Sequence, residues 1–133
     1  MKFSTRTTYG LRAMIVLANS KGKTTVPLSF ISNKEKISLG YLERLFSKLK
    51  KSGLVKSEIG AGGGYYLSKK PSEILVYDIV KTLEGDIAPF KCVDENGKIK
   101  CIAKDKCGAT DVLIKVQQAI NKTLKSIRLS DLV

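Results

Sequence analysis

The sequence contains no histidine, and this absence disfavours several kinds of catalytic site. Histidine is the commonest general base and a frequent metal ligand. Paired carboxylates in a setting typical of acid–base catalysis are also missing. The glycine-rich stretch GAGGG is followed by a second extended run, whereas a nucleotide-binding loop is followed by a helix. We therefore expect a protein that is not an enzyme.

Long apolar runs are absent, and cysteine is scarce. No run approaches the ~20 residues needed to cross a bilayer. Arg12 interrupts the amino-terminal apolar stretch, and no clean cleavage site follows it. Three cysteines are an odd number, which fits a disulfide framework poorly. The sequence therefore predicts a cytoplasmic protein without a membrane partner, and its 133 residues suffice for one compact domain.

Acidic residues are few in the first half of the chain. The net charge is +12, and residues 1–70 carry 14 basic side chains against three acids, a net charge of +11. Residues 71–133 carry ten basic and nine acidic side chains. This asymmetry indicates a polyanion partner for the first half, although a lysine-rich solvated surface has the same composition.

Apolar residues recur with helical spacing in several segments. The predicted helices cover 8–20, a short segment opened by Pro27, 39–52, 77–83 and 111–128. Two extended runs, 54–59 and 65–68, flank the glycine-rich loop. In the short second helix, Leu28, Ile31 and Phe30 are expected to face inward. Three helices followed by a two-stranded ribbon predict a mainly α fold with a small β-hairpin wing (α+β), a winged helix-turn-helix.

The last predicted helix comes after this compact part is complete. The chain thus divides into a DNA-binding domain over 1–84, a cysteine-containing loop over 85–110, and a dimerisation helix with a tail over 111–133. The helix needs a partner surface for its apolar stripe of Leu113, Val116, Ile120, Leu124 and Ile127. A second copy of the chain would supply one. Packing against its own domain is the alternative.

The third helix has the properties of a helix that enters the major groove. One face is leucine-rich, and the opposite face is polar and basic. Arg44 suits guanine, and Glu43 suits the amino group of cytosine, although Glu43 could instead pair with a neighbouring lysine. The candidate DNA-contacting residues are Lys2, Ser4, Arg6, Ser38, Gly40, Tyr41, Glu43, Arg44, Ser47, Lys48, Lys51, Lys56, Gly62 and Gly63.

Nearly the whole chain resembles one family. The stretch ISLGYLERLFSKLKKSGLVKSEIGAGGGYYLSK, with STRTTYGLRAMIVLA before it and ILVYDIVKTLEG after it, is similar to the Rrf family of bacterial winged-helix regulators. The resemblance implies a homodimer, held largely by the last helix, on an imperfect palindrome in promoter DNA. It places Ser38, Tyr41 and Glu43 at recognition-helix positions of the IscR-like members. Gly40 and Ile59 depart from that pattern, where those members often have a serine and a wing arginine.

All three cysteines, Cys92, Cys101 and Cys107, lie in one short segment with the spacing C-x8-C-x5-C. Cluster-binding members of the family have three cysteines in this region, so the resemblance implies an iron–sulfur cluster, 2Fe-2S in preference to 4Fe-4S. Several lysines in the segment would favour thiolates and offset an anionic cluster.

A fourth ligand for such a cluster is not evident, because the chain lacks the histidine that IscR-like members use. We favour Asp111 or Asp105, while Asp94, Glu95, water or a small thiol are alternatives. The cysteines could also bind zinc, form a disulfide redox switch or be remnants of a lost site. The alternative function is therefore a repressor of cysteine or sulfur metabolism, or a thiol switch, without a cluster.

Overall fold

The computed structural model describes residues 3–20, 24–100 and 107–133, which form five α-helices and one two-stranded sheet. The elements in chain order are α1 (Thr5–Asn19), α2 (Leu28–Glu35), α3 (Leu39–Lys51), β1 (Val55–Glu58), β2 (Gly64–Leu67), α4 (Val76–Glu84) and α5 (Thr110–Ser126). Short 3-10 turns cover Pro71–Glu73 and Leu129–Leu132. This order confirms the mainly α, winged-helix architecture. Among the described residues, no helix is long and apolar enough to cross a membrane.

Two serines determine where the first and third helices begin. The Ser38 side chain accepts a hydrogen bond from the Tyr41 amide at 3.3 Å, so α3 begins at the predicted residue. The Ser4 side chain caps α1 in the same way, through the Arg6 amide at 3.2 Å. As a result α1 begins at Thr5, three residues before the predicted start.

The main core lies between α1, α2, α3, α4 and the wing. Met14, Ile31 and Phe46 are fully buried there. Phe30 is 51% exposed, so the expectation that it faces inward was wrong. Because an α-helix has about 3.6 residues per turn, consecutive side chains point roughly 100° apart, so Ile31 can enter the core while its neighbour Phe30 points to solvent.

The wing is an antiparallel hairpin that is fastened to the helical part. Val55 pairs with Leu67, and Glu58 pairs with Gly64. Val26 adds one further bridge to the hairpin, since its amide and carbonyl bond the backbone of Tyr65 at 2.8 and 2.9 Å. A β-carbon on Gly64 would lie 2.4 Å from the Val26 backbone, which explains the glycine at that position.

The chain after α5 returns to the main core. The amide of Val76 bonds the carbonyl of Ile127, and the amide of Leu129 bonds the carbonyl of Ile74, both at 2.9 Å. Leu129 is fully buried in the main core. Leu124 and Ile127 pack against a smaller cluster around α4. The carboxyl end of α5 therefore packs against its own domain.

Candidate DNA-binding surface and cysteine loop

Helix α3 has one face in the core and the other in solvent. Leu42, Leu45, Phe46 and Leu49 are buried. Seven of the candidate DNA-contacting residues are exposed on this helix and its cap: Ser38, Gly40, Glu43, Arg44, Ser47, Lys48 and Lys51. Six of the seven carry groups that can contact bases or phosphates, and Gly40 leaves open space, since a β-carbon there would meet nothing within 4 Å.

The Glu43 carboxylate is accessible on this surface. The ion pairs among the described residues join Arg6 to Glu84, Arg12 to Glu35, and Lys81 to Glu95. None of them includes Glu43. The part of the chain that the structure describes therefore lacks the lysine pair that was the alternative role for this residue.

Tyr41 is half-buried and contacts the first helix. Its ring meets the ring of Tyr9 edge-on, with 5.6 Å between the centroids. Its hydroxyl lies 3.2 Å from the hydroxyl of Thr5. The guanidinium carbon of Arg44 lies 5.6 Å from the centroid of the Tyr41 ring. Tyr41 therefore connects α1 to the exposed surface of α3, a role that helical periodicity alone could not reveal.

Ser4 and Arg6, both candidate DNA contacts, lie at the start of α1 beside Glu84. The Ser4 amide and hydroxyl donate to Glu84 Oε1 at 3.0 and 2.5 Å, and the Thr7 hydroxyl donates to the same atom at 2.5 Å. Arg6 lies 3.7 Å from the other carboxylate oxygen. Sequence reasoning missed Glu84, and the glutamate of the LEG segment was its only signal. Lys2 lies outside the described residues.

The electrostatic state of Glu84 follows from these contacts. Burial raises the pKa of its carboxyl, but hydrogen bonds from Ser4 and Thr7, together with the charge of Arg6, lower the pKa by more. The pKa is therefore below its ordinary value, and the carboxylate is the stable form at neutral pH.

Backbone geometry determines the shape of the wing tip. Gly62 has φ of 77°, and a β-carbon on Gly63 would lie 2.4 Å from the Glu58 carbonyl oxygen. The Thr25 hydroxyl donates to the Gly62 carbonyl at 2.7 Å, which fastens the tip to the segment before α2. Lys56 and Ile59 are exposed. The two glycines thus give the tip its conformation, while Lys56 and Ile59 offer side chains to a partner.

The cysteine loop contains a small hairpin that the sequence did not predict. Val93 bridges Ile99, and the Lys100 amide donates to the Cys92 carbonyl at 2.8 Å. Asp94 Oδ1 accepts the amides of Asn96 and Lys98 at 2.9 and 2.8 Å. These hydrogen bonds lower the pKa of Asp94, and the bond from the Lys98 amide has the largest effect.

Two contacts hold this hairpin against the helices. Lys81 on α4 pairs with the Glu95 carboxylate at 2.5 Å. Asn121 on α5 donates to the Glu95 carbonyl at 2.8 Å. Asp94 and Glu95 therefore have structural partners, whereas Asp111 is exposed in the first turn of α5.

Cys92 and Cys107 are both exposed free thiols. Hydrogen bonds from the Ala109 amide, and then from the hydroxyl and amide of Thr110, lower the pKa of Cys107. Cys101 and Asp105 lie outside the described residues. Within 3–20, 24–100 and 107–133, no three cysteine or carboxylate side chains are grouped closely enough to hold a metal. The two described thiols nevertheless have the accessibility and ligand type that an iron–sulfur cluster requires.

Comparisons with known proteins agree with this architecture. The profile of a family described as "Rrf2: Iron-dependent Transcriptional regulator" matches residues 3–133. The chain is 37% identical over 132 residues to the HTH-type transcriptional regulator CymR of Bacillus subtilis (strain 168), covering 99% of this chain and 89% of CymR. It is 36% identical over 133 residues to the HTH-type transcriptional regulator IscR of Photorhabdus laumondii, covering 100% of this chain and 79% of IscR.

A solved structure is also similar. The structure of CymR from B. subtilis, described as the global cysteine regulator of that organism, matches with a TM-score of 0.82 and 36% sequence identity. The match covers 99% of this chain and 95% of the CymR chain.

Proposed function

Because the chain belongs to the Rrf2 family of transcriptional regulators and is not an enzyme, we propose that it acts as a homodimer on palindromic promoter DNA in the cytoplasm. In this proposal α3 enters the major groove, the wing lies beside it, and the cysteine loop modulates binding. The exposed polar surface of α3, opposite its buried leucines, is the observation that carries the proposal.

The charge distribution supports DNA as the partner. Residues 1–70 hold nearly all of the net positive charge, and Lys48, Lys51 and Lys56 are exposed on α3 and the wing. Lysines of this kind contact phosphates and position the protein, whereas we propose that Glu43 and Arg44 read base edges. In the wing, Ile59 replaces the arginine expected from the family resemblance, so we propose a different preference in the minor groove.

An apolar groove on α5 supports the homodimer. The groove has a volume of about 380 Å³, and it is lined by Phe3, Val116, Ala119, Ile120, Thr123 and Leu124. If this groove packed against the same groove of a second copy, these side chains would be buried around a twofold axis. A dimer also places two copies of α3 on two half-sites, as a palindrome requires.

We propose that Cys92, Cys101 and Cys107 hold an iron–sulfur cluster, with Asp111 or Asp105 as the fourth ligand. When bound, such a cluster would supply an iron centre that oxidants can remove. An iron with one oxygen ligand would be more labile than an iron in a cluster held by four thiolates. Through its contacts with Lys81 and Asn121, the loop is placed to convey its state to α4 and α5.

A second candidate is a thiol switch without a cluster, in a regulator of cysteine metabolism. Two observations favour it: Cys107 is exposed with a lowered pKa, and a relative of 36% identity is described as a global cysteine regulator. A lowered pKa increases the thiolate fraction of a cysteine, and the thiolate is the form that oxidants attack.

DNA binding is tested by selection from random duplexes, followed by titration of the recovered site at several salt concentrations. We expect a palindromic site and an affinity that falls steeply with salt, as for a protein with about 6–10 phosphate contacts. Failure to enrich any site, with equally weak binding of all duplexes at low salt, would contradict the proposal.

The cysteine chemistry is tested on protein purified without oxygen. Visible absorption with matching iron and sulfide counts, lost in Cys92→Ser, supports the cluster. Colourless, iron-free protein whose DNA affinity changes on reversible oxidation supports the thiol switch. Reconstituted and metal-free protein with equal operator affinity would contradict modulation by a cluster.

A further inference from the structure

The first turn of α1 contacts both the end of α4 and the DNA-facing helix. On one side, Ser4 and Thr7 donate hydrogen bonds to Glu84 on α4. Thr5 lies between them in sequence, and its hydroxyl is 3.2 Å from the hydroxyl of Tyr41 on α3. A single turn of helix therefore joins Glu84 to Tyr41.

Glu84 is well placed to hold this turn in one position. Its side chain is only 12% exposed, and one carboxylate oxygen accepts three hydrogen bonds. The carboxylate lies at the amino end of α1, where backbone amides lack partners within the helix and the helix dipole favours negative charge. Charge-assisted hydrogen bonds are stronger than neutral ones, so loss of the charge would loosen Ser4 and Thr7.

Tyr41 in turn orders Arg44. The Tyr9 and Tyr41 rings pack in a T-shaped arrangement, and the Arg44 guanidinium lies over the Tyr41 ring. Attraction between the guanidinium and the aromatic face restricts the arginine side chain. A side chain that is already ordered loses less conformational entropy when it binds, which increases affinity.

We propose that Glu84 is a positioning residue for DNA recognition. It holds the first turn of α1 so that Thr5 and Tyr41 present Arg44 to the duplex, without contacting DNA itself. The inference rests on the proposed DNA-binding function of α3. It also predicts a change in DNA affinity that is opposite in direction to a simple charge effect. Removing an acidic charge ordinarily strengthens binding to a polyanion, whereas loss of this carboxylate weakens specific binding.

The test compares Glu84→Gln with Asp78→Asn, which removes the same charge from an exposed position on the same helix. The probes are the palindromic duplex recovered by selection and a scrambled duplex of equal length, titrated at one salt concentration. Glu84→Gln should lower affinity for the palindrome about three- to ten-fold and spare the scrambled duplex. Asp78→Asn should lower neither affinity. Circular dichroism establishes that both variants are folded.

A double-mutant cycle tests the route from Glu84 to the DNA-facing helix. If Glu84 acts through Tyr41, Glu84→Gln should cost less affinity in a Tyr41→Phe background than in the wild type. Thr5→Val breaks the same link at an exposed site and leaves Glu84 untouched, so it should also weaken binding to the palindrome. A purely structural role of Glu84 would not produce this coupling.

The possible failures are distinguishable. If the wild type discriminates the palindrome and Glu84→Gln binds it equally well, the positioning role is wrong. The positioning role would also be wrong if Glu84→Gln reduced affinity by the same factor in the Tyr41→Phe background as in the wild type. Wild-type affinity of the Thr5→Val variant would overturn it as well. If the wild type does not discriminate between the two duplexes, the proposed function itself fails.

Discussion

At the scale of single residues, the exposed surface of α3 combines two kinds of side chain. Lys48 and Lys51 carry charge that any DNA sequence attracts. Glu43 repels phosphate, and no ion pair in the described part of the chain neutralises it. In the proposed complex, a carboxylate in this position would contribute by accepting a hydrogen bond from a specific base rather than by general attraction. The two kinds of residue should therefore respond differently to substitution.

Lys48→Glu should weaken binding to every DNA sequence by roughly ten-fold or more and reduce the salt dependence. Glu43→Ala should instead leave total affinity similar or higher while costing about 1–3 kcal/mol of discrimination at one base pair. Titration of each variant against the selected site and its single-base-pair variants measures both effects.

Lys69→Glu, which makes the same charge change after the wing, is the matched control for Lys48→Glu. An equal loss in both lysine variants would mean that net charge, rather than the position of Lys48, matters. Unchanged base preference in Glu43→Ala would contradict the base-reading role.

At the scale of elements, segments that are distant in sequence hold the winged helix together. The segment after α5 inserts Leu129 into the main core, between α1 and the segment before α4. Glu84, at the end of α4, holds the start of α1. Neither contact follows from periodicity, because each depends on how helices are arranged in space.

Leu129→Ala should lower the free energy of unfolding by about 2–5 kcal/mol, because it leaves a cavity in a fully buried site. Leu132→Ala, in the same 3-10 turn but 40% exposed, should cost much less, within about 0.5 kcal/mol. Urea denaturation followed by circular dichroism measures both values. A loss for Leu129→Ala as small as that expected for Leu132→Ala would mean that Leu129 does not contribute to the core.

The contacts of Glu84 predict a pH-dependent contribution to stability. Its pKa is lower in the folded state than in the unfolded chain, so its contribution is fully present above pH 4.5, its ordinary value. The contribution is lost as the pH falls through the folded pKa. Arg6 is the charged group facing Glu84, and Asp86 lies in the same cavity.

Glu84→Gln should therefore destabilise the protein by about 1 kcal/mol at neutral pH, and the difference from the wild type should shrink in acid. Denaturation curves of both proteins at several pH values measure this difference. Asp78→Asn provides the comparison. If the difference in unfolding free energy between the wild type and Glu84→Gln stayed constant down to pH 3, it would contradict a lowered pKa of Glu84.

At the scale of the whole molecule, two parts of α5 have different surroundings. Its carboxyl end packs on α4 and leads into the buried tail. Its middle presents the apolar groove around Ile120 to solvent. Packing against its own domain is thus confirmed for the carboxyl end, whereas the groove is where we propose that a second copy packs.

Ile120→Glu should shift the protein from dimer to monomer and lower affinity for the palindrome more than for a single half-site. A buried charge without a partner is costly, so the dimer would lose several kcal/mol. Gln118→Glu places the same charge at an exposed position on α5. Analytical ultracentrifugation and duplex titration distinguish the variants, and a dimeric Ile120→Glu would contradict the proposed interface.

Much of this architecture could be predicted from local patterns. The five helices and the hairpin follow from apolar periodicity, from the cap at Ser38 and from glycines at turns, all of which involve residues close in sequence. The exposed surface of α3 follows in the same way, because a helix with one leucine-rich face must turn the other to solvent.

Local patterns by themselves established an amphipathic third helix with a polar, basic face, a wing, a basic first half and three clustered cysteines. Tertiary structure alone decided that Glu84 holds the start of α1, that Tyr41 contacts Thr5, and that Leu129 enters the core. The physical reason is that helix and turn signals act over a few residues, whereas these contacts join side chains between 36 and about 120 positions apart. Such contacts form only when whole helices pack.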